Sequence, residues 1–471
     1  MSMIADEGNV SLACIESFFL QVLGVTLGDL MGKVLEGLDD RVQEKRDKSR
    51  YQLVGKRSRT IETVLGQPVT FKRRYYWDME TGNYVFLLDE LVSLDAMTRT
   101  SPLLHDLMVS AGVDSTSYRA AAESLARVIG SRITSHESIR RYVIKAGEIA
   151  DSIDEHLIEQ ADGKRKVKVL FMAADGMWVH LQQNKKRSAE ERMVTVFEGW
   201  EPRRGSSQEF SLTESSMWSS HEQGEDWWDM ASRWVYGKYD IDDETIVAIC
   251  GDRASWIRRG IEYFPARNVL YQVDRFHLTK DIRRILGKDS DVAEKVLSLV
   301  DQDPTGDLFM RSLFEARPHV VGSKRKELDG LIADLSPIRE CVCDYRIRLR
   351  ALGVDTSGLR GLGVAESEVN KVSNRMKKVG RSWSPRGLKG IMGVQRARFS
   401  GNLGRVLDTM ENAAKTPSIT REDVSNVADR AMKMVFEALP HQGGFHPRIM
   451  DYGRVGSGGM SHLFHALLNG A

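Results

Sequence analysis

The sequence is poor in cysteine, carries almost no net charge and shows no long apolar run, and each shortage removes a class of protein. Its four cysteines, Cys14, Cys250, Cys341 and Cys343, fit no zinc-module spacing, and Cys341-Val342-Cys343 is too tight for the usual ligand pair. They read as reduced thiols rather than a disulfide framework. No stretch reaches the roughly 18 apolar residues expected of a membrane span. The opening MSMIADEGNVSLACIESFFLQVLGV has no basic region ahead of its apolar stretch. The expectation is a cytoplasmic protein with no signal peptide and no membrane partner. A net charge of +1 over 471 residues does not announce nucleic acid either. No internal repeat and no long low-complexity segment is visible.

What is present is a globular composition, with 41% hydrophobic and 28% charged residues, long enough for two to four domains. The charge is unevenly spread. Residues 371–398 carry nine basic side chains, among them Lys371, Arg375, Lys377 and Lys378, and no acid. Acidic residues gather instead at 222–229 and 240–244. Such separation builds a local field that attracts phosphates, although a basic run is often only a solvated face.

Periodicity divides the chain. Residues 1–57 read as an N-terminal helical region. Residues 58–100 read as a small antiparallel meander of TIETVLG, PVTFKRRYYW and NYVFLLDELVSL, broken at Gly66-Gln67-Pro68 and Glu80-Thr81-Gly82-Asn83. Its second strand sets Lys72, Arg73 and Arg74 beside Tyr75, Tyr76 and Trp77, which suits DNA backbone or an ordinary amphipathic strand. Residues 101–160 have the form of a helix-turn-helix DNA-binding region. A helix over about 117–129 meets a turn at Gly130-Ser131-Arg132, and a second helix follows Ser135. That second helix is expected to expose Arg140, Arg141 and Lys145 to phosphates and base edges.

Residues 161–275 change character. KVKVLFMAA reads as a buried strand ending at Asp175-Gly176, MWVHLQQ as a second strand and ERMVTVFEGW as a third. A helix (EDWWDMASRWVYGKY), a strand (TIVAIC, ending at Gly251-Asp252), a helix (ASWIRRGIEYF) and a strand (NVLYQVD) follow. This is the order of an α/β RNase H-like core. Residues 276–360 read as a helical insertion, 361–400 as the final helix of the core, and 401–471 as a C-terminal helical region and tail.

Asp175 and Asp252 are both placed at the carboxyl end of an apolar strand, where open α/β sheets bind ligands. Two carboxylates held close repel unless a cation lies between them or one is protonated. Hard oxygen donors of this kind suit magnesium or manganese. A lone Asp after a strand is commonly just a cap or turn residue. For a third carboxylate the helix starting near Ala365 offers Glu366 and Glu368, and its first turn favours either charge.

Three blocks are recognisable. GVAESEVNKVSNRMKKVGRSWS resembles the final catalytic block of bacterial insertion-sequence transposases, GDRASWI resembles their second-Asp block, and VDRFHLTK resembles the Asp-x-x-His block shared with Mutator-like transposases. Together they are similar to the ISLre group of DDE transposases, with Arg253 standing where a small residue is the rule. The resemblance implies a polynucleotidyl transferase whose triad is Asp175, Asp252 and Glu366, holding two Mg2+ (or Mn2+) ions. Asp274 and His277 fill the Asp-x-x-His positions beside the triad. It further implies cleavage at insertion-sequence ends followed by strand transfer, with double-stranded terminal inverted repeats and target DNA as partners. The DNA backbone would be held through Lys371, Arg375, Lys377 and Lys378, by a homodimer or higher oligomer associated with the nucleoid. Two alternatives stay open: an RNase H-like metal nuclease without strand transfer, and an inactive transposase-derived DNA-binding regulator.

Overall fold

The computed structural model describes residues 12–182, 187–205, 209–221, 227–264, 268–363, 365–376, 381–411 and 419–437. The chain divides into two compact units. Among the described residues, one takes Val22–Thr60, Val69–Leu88 and 419–437, and the other takes 12–21, Ile61–Pro68 and the described part of 89–411.

Helix α1 (Leu12–Lys45) opens the chain, and β1 (Tyr51–Glu62), β2 (Pro68–Asp78) and β3 (Asn83–Val85) form the expected meander in the order β1-β2-β3. β1 starts earlier than expected, and β3 ends early because Leu87 and Leu88 are both fully buried. Consecutive buried residues do not suit a strand with one wet face, and α2 (Leu87–Leu91) takes them instead. The basic triplet of β2 does not line a surface. Arg74 pairs with buried Asp39 of α1 at 2.5 Å, and buried Arg73 stacks on Phe86 at 3.8 Å. In α1, Phe18, Phe19 and Leu23 are exposed, and Ile15–Lys45 is long and apolar enough to cross a membrane by length and composition. The sequence reading had found no such stretch.

In the larger unit α3 (Pro102–Asp114), α4 (Tyr118–Ile129) and α5 (His136–Gln160) start at serines that cap them. Ser117 Oγ accepts from Ala120 N at 3.0 Å, Ser135 Oγ accepts from Ser138 N at 3.1 Å, and Gly130 closes α4 at φ +81°. These bounds match the expected helix-turn-helix. Its second helix, however, is 25 residues long and buries Ile139, Val143, Ala146, Gly147 and Ala150. It packs into the same core as the sheet.

The sheet contains β4 (Val169–Leu181), β5 (Ser188–Phe197), β8 (Ser216–Ser220), β9 (Ile246–Gly251) and β10 (Asn268–Val273), in the order β10-β9-β4-β5-β8. A hairpin of β6 (Gly199–Pro202) and β7 (Phe210–Thr213) hangs between β5 and β8. β5 runs antiparallel to β4 and β8, while β9 and β10 run parallel to β4. The two strands expected over 166–183 are one continuous strand, β4, passing through Asp175-Gly176. The remaining strand of the trio is β8, whose serine-rich sequence hides the buried Met217 and Trp218. β9 and the first half of β4 lie inside the sheet and are apolar on both faces, as central parallel strands are.

Helices cover both faces. α6 (Trp227–Tyr236) and α7 (Ser255–Arg258) flank β9 in sequence; α8 (Arg275–Leu286), α9 (Asp291–Ser298), α10 (Asp307–Ala316) and α11 (Gly322–Leu335) follow β10. Leu170, Met172, Val247 and Ile249 pack with Trp227, Trp234, Leu278, Phe309 and Leu331 in one cluster. The segment read as an insertion therefore shares a core with the sheet. Side chains of alternating parity point the other way. There Phe171, Ala248 and Tyr345 of α12 (Tyr345–Ala351) form one group. Met177, Val179 and Met193 pack with Val143, with Val372 of α13 (Ala365–Met376) and with Leu388 of α14 (Pro385–Phe399). A two-residue strand, β11 (Ser382–Trp383), pairs with the end of β4. α15 (Leu403–Glu411) closes this unit; α16 (Arg421–Glu437) belongs with α1, where Lys45 meets Asp423 at 2.5 Å.

Helices α5 and α14 cross backbone to backbone. A Cβ on Gly147 would fall on the carbonyl oxygen of Gly390, and one on Gly390 would stand 2.8 Å from the Cα of Ile144. Buried Arg396 of α14 ties the crossing down. It pairs with Asp151 and, at 3.1 Å, with Asp154 of α5, and it donates to the Ser219 carbonyl at 3.1 Å.

Candidate active site

The site begins where pairing ends. Ala174 is registered with Gly251, and Gly251 with Val273, as the last rungs of three adjacent parallel strands. The next residues are Asp175, Asp252 and Asp274, so three acids stand at one level just past the end of the parallel ladders. Neighbouring strands are about 4.8 Å apart, which brings the first two carboxylates close at the backbone. Asp175 is thus not at the end of its strand, as the sequence reading had it, but at the end of the β4–β9 ladder. Beyond it, β4 runs on to pair with β11 at His180 and Leu181.

Each acid is fixed differently. Asp175 Oδ1 accepts from Gly176 N at 2.7 Å. Asp252 Oδ1 accepts from Ala254 N at 2.8 Å, and the Asp252 carbonyl accepts from the Tyr271 hydroxyl, which also reaches Gly251 O at 3.2 Å. Arg253, the departure from the expected pattern, has a structural partner: it pairs with Asp281 of α8 at 2.6 Å. Asp274 is fully buried and caps α8, its Oδ1 accepting from Phe276 N at 2.7 Å. Its Oδ2 lies 3.5 Å from His277 Nδ1, a long approach, and neither atom completes a hydrogen bond. Interaction with the Asp274 carboxylate raises the His277 imidazole above its ordinary range; burial opposes this, and the charges of Asp274, Asp175 and Asp252 add to it. The four groups therefore share one field.

Glu366 lies in the first turn of α13, and its side chain is outside the described residues. The helix itself packs on β4 and β5. Val372 and Met376 meet Met177, Val179 and Met193 on the face to which strand alternation assigns Asp175. Among the described residues no cluster of three or more His, Cys, Asp or Glu has metal-holding geometry. The donors nevertheless suit a hard cation. Asp252 has no ion-pair partner among the described residues, and the Asp274 oxygen facing His277 is buried without a donor.

The expected DNA contacts fare unevenly. Lys371 is exposed, with its ammonium over Phe399 at 5.1 Å. Arg375 is buried, bonded to the carbonyls of Thr116 (2.9 Å) and Gly112 (3.3 Å), so it belongs to no exposed stripe. Lys377 and Lys378 lie outside the described residues. Arg141 is exposed; Arg140 pairs with Glu137 at 2.7 Å and Lys145 with Asp95 at 3.3 Å. Sequence reasoning missed Tyr271 and Asp281. Their roles depend on which strand and helix lie beside Asp252, and no local motif marks them.

A family profile matches residues 6–412. The chain belongs to UPF0236, an uncharacterised protein family. A UPF0236 protein of Caldanaerobacter subterraneus subsp. tengcongensis, whose name joins eleven locus designations, is 25% identical over 272 residues, covering 57% of this chain and 54% of its own length. A second from that organism, whose name joins four, is 23% identical over 273 residues, with 57% and 54% covered. A Streptococcus gallolyticus protein described as UPF0236 in a vanSb 3′ region is 24% identical over 412 residues, covering 85% of this chain and 87% of its own. The chain spans about half the length of the first two relatives.

Proposed function

We propose that this UPF0236 chain is a DDE transposase similar to the ISLre group, cutting and joining DNA on an RNase H-like core. The observation that carries the reading is the alignment of Asp175 and Asp252 after the last rung of two adjacent parallel strands, with the helix of Glu366 packed on the same face of β4. The strand order, with one antiparallel strand beside the first, supports that core. Names spanning eleven and four loci of one organism suit an element that copies itself.

In this reading Asp175, Asp252 and Glu366 hold Mg2+ or Mn2+. When bound, the metal would activate the attacking oxygen and stabilise the leaving oxygen of a phosphodiester. The protein's own part is positional. Tyr271 fixes the backbone of Asp252, Arg253 ties that turn to α8, and His277 lies beside Asp274 in the field of the other two carboxylates. The substrates are terminal repeats and target DNA in a bacterial cytoplasm, and two ends held together call for at least a dimer. The test is strand transfer with pre-cleaved ends. Wild type should join them in Mg2+, and Asp175→Asn and Asp252→Asn should not, with DNA binding kept. Cutting without joining by wild type would point to a nuclease, and activity retained in both variants would sink the reading.

A further inference from the structure

A second site lies at the far end of β4. The starts of α4 and α14, together with β11, line an open cavity of about 460 Å³. Three guanidinium groups reach its wall. Arg140 is neutralised by Glu137 through two bonds, of 2.7 and 2.9 Å. The other two are not neutralised. Arg375 donates only to the carbonyls of Gly112 and Thr116, and Arg381 only to those of Arg375 (2.6 Å) and Asn374 (3.2 Å). Neither meets a carboxylate among the described residues. Arg375 is 7% exposed, with its charge over the rings of Tyr118 (5.1 Å) and Trp383 (5.0 Å).

A buried cation with no counter-charge is costly, and a second one beside it adds repulsion. Carbonyl dipoles offset part of that cost; an anion in the cavity offsets more. Two helix N-termini face the same space and favour negative charge. Their caps, Ser117 and Ser384, each satisfy one N–H, of Ala120 and Gly387, and leave other first-turn donors. Planar guanidinium groups beside aromatic walls suit a phosphate attached to a larger group.

We infer that this cavity binds a phosphate group, and that the phosphate belongs to a DNA backbone. The anion site stands on its own charge; the DNA source rests on the reading above. Trp383 pairs with Leu181, six residues beyond Asp175 on β4. At about 3.3 Å per residue that is roughly 20 Å, or about six base pairs along a duplex. A strand reacting at Asp175 could therefore reach this cavity with the same duplex.

Two variants of the full chain test this. Ser384→Asp keeps a good helix cap and places a negative charge in the cavity. Arg381→Gln removes one of the uncompensated charges. Titration calorimetry at low salt, with inorganic phosphate and separately with a 20-base-pair duplex, should show each variant binding both probes at least tenfold more weakly than wild type. Neither variant should melt lower than wild type, because each relieves uncompensated positive charge. Weakened phosphate binding with unchanged duplex binding would support the anion site and overturn the DNA source. No phosphate binding by wild type, or equal binding by wild type and both variants, overturns the inference. Failure of wild type to join pre-cleaved ends, with its phosphate binding intact, would sink the transposase reading alone.

Discussion

Asp175 and Asp252 follow directly after a shared rung of adjacent parallel strands, Ala174 with Gly251, and both bear on the same imidazole. Two like charges so placed destabilise the metal-free protein. Asp252→Asn should therefore melt a few degrees higher than wild type in EDTA, since relief of about 1 kcal/mol shifts a large domain by about 2–4 °C. Added Mg2+ should raise the wild-type midpoint and leave the variant unmoved. A variant that melts lower in EDTA and still responds to Mg2+ would contradict the shared pocket. Thermal melts with and without metal decide it.

The Arg396 network makes a stability prediction. Arg396→Met leaves Asp151 buried beside Asp154 without its main counter-charge. Breaking a buried pair on one side costs about 3–5 kcal/mol. Urea unfolding should show a loss of that order, and Asp151→Asn in the same background should recover part of it.

The α5–α14 crossing makes another. Gly390→Ala puts a methyl group 2.8 Å from the Cα of Ile144, with backbone rather than a flexible side chain in its way. Overpacking costs about 1–3 kcal/mol, more than the helix propensity that Ala adds. Gly404→Ala, with nothing within 4 Å, serves as the control and should be neutral or slightly stabilising.

His105 sets an acid limit. Its ring stacks on Tyr142 at 4.1 Å, and its Nε2 lies 2.7 Å from the Thr100 hydroxyl. Burial pushes its pKa down to about 4, with the charge of Lys145 adding to the effect. The unfolded chain then binds the proton more readily, so this term is fully present above about pH 6.5 and lost as pH falls toward 4. The loss is on the order of 2–3 kcal/mol. His105→Gln should flatten that part of the stability–pH curve, measured by denaturant melts between pH 4 and 7.

Much of this molecule is legible in its sequence because the signals are local. Ser117, Ser135 and Gly130 bound their helices as side-chain caps and a left-handed glycine do anywhere, and the apolar runs before Asp175 and Gly251 form central strands. Asp274 and His277, three apart at a helix start, were bound to meet. Other features depended on neighbours distant in the chain. Whether β4 stopped at Asp175 or ran on was decided by β5, which pairs with it through His180. β8 became a strand because an edge was open beside β5, not because SSMWSS is strand-like.

The clearest division is in the basic residues. Sequence counts Arg74, Arg375 and Arg396 as surface charge, since Arg is costly to bury alone. Tertiary structure supplies Asp39 for the first, two carbonyls and two aromatic rings for the second, and Asp151 with Asp154 for the third. A charge can be buried only where partners converge from far along the chain. Charge spacing alone therefore named the residues but could not say which of them face solvent.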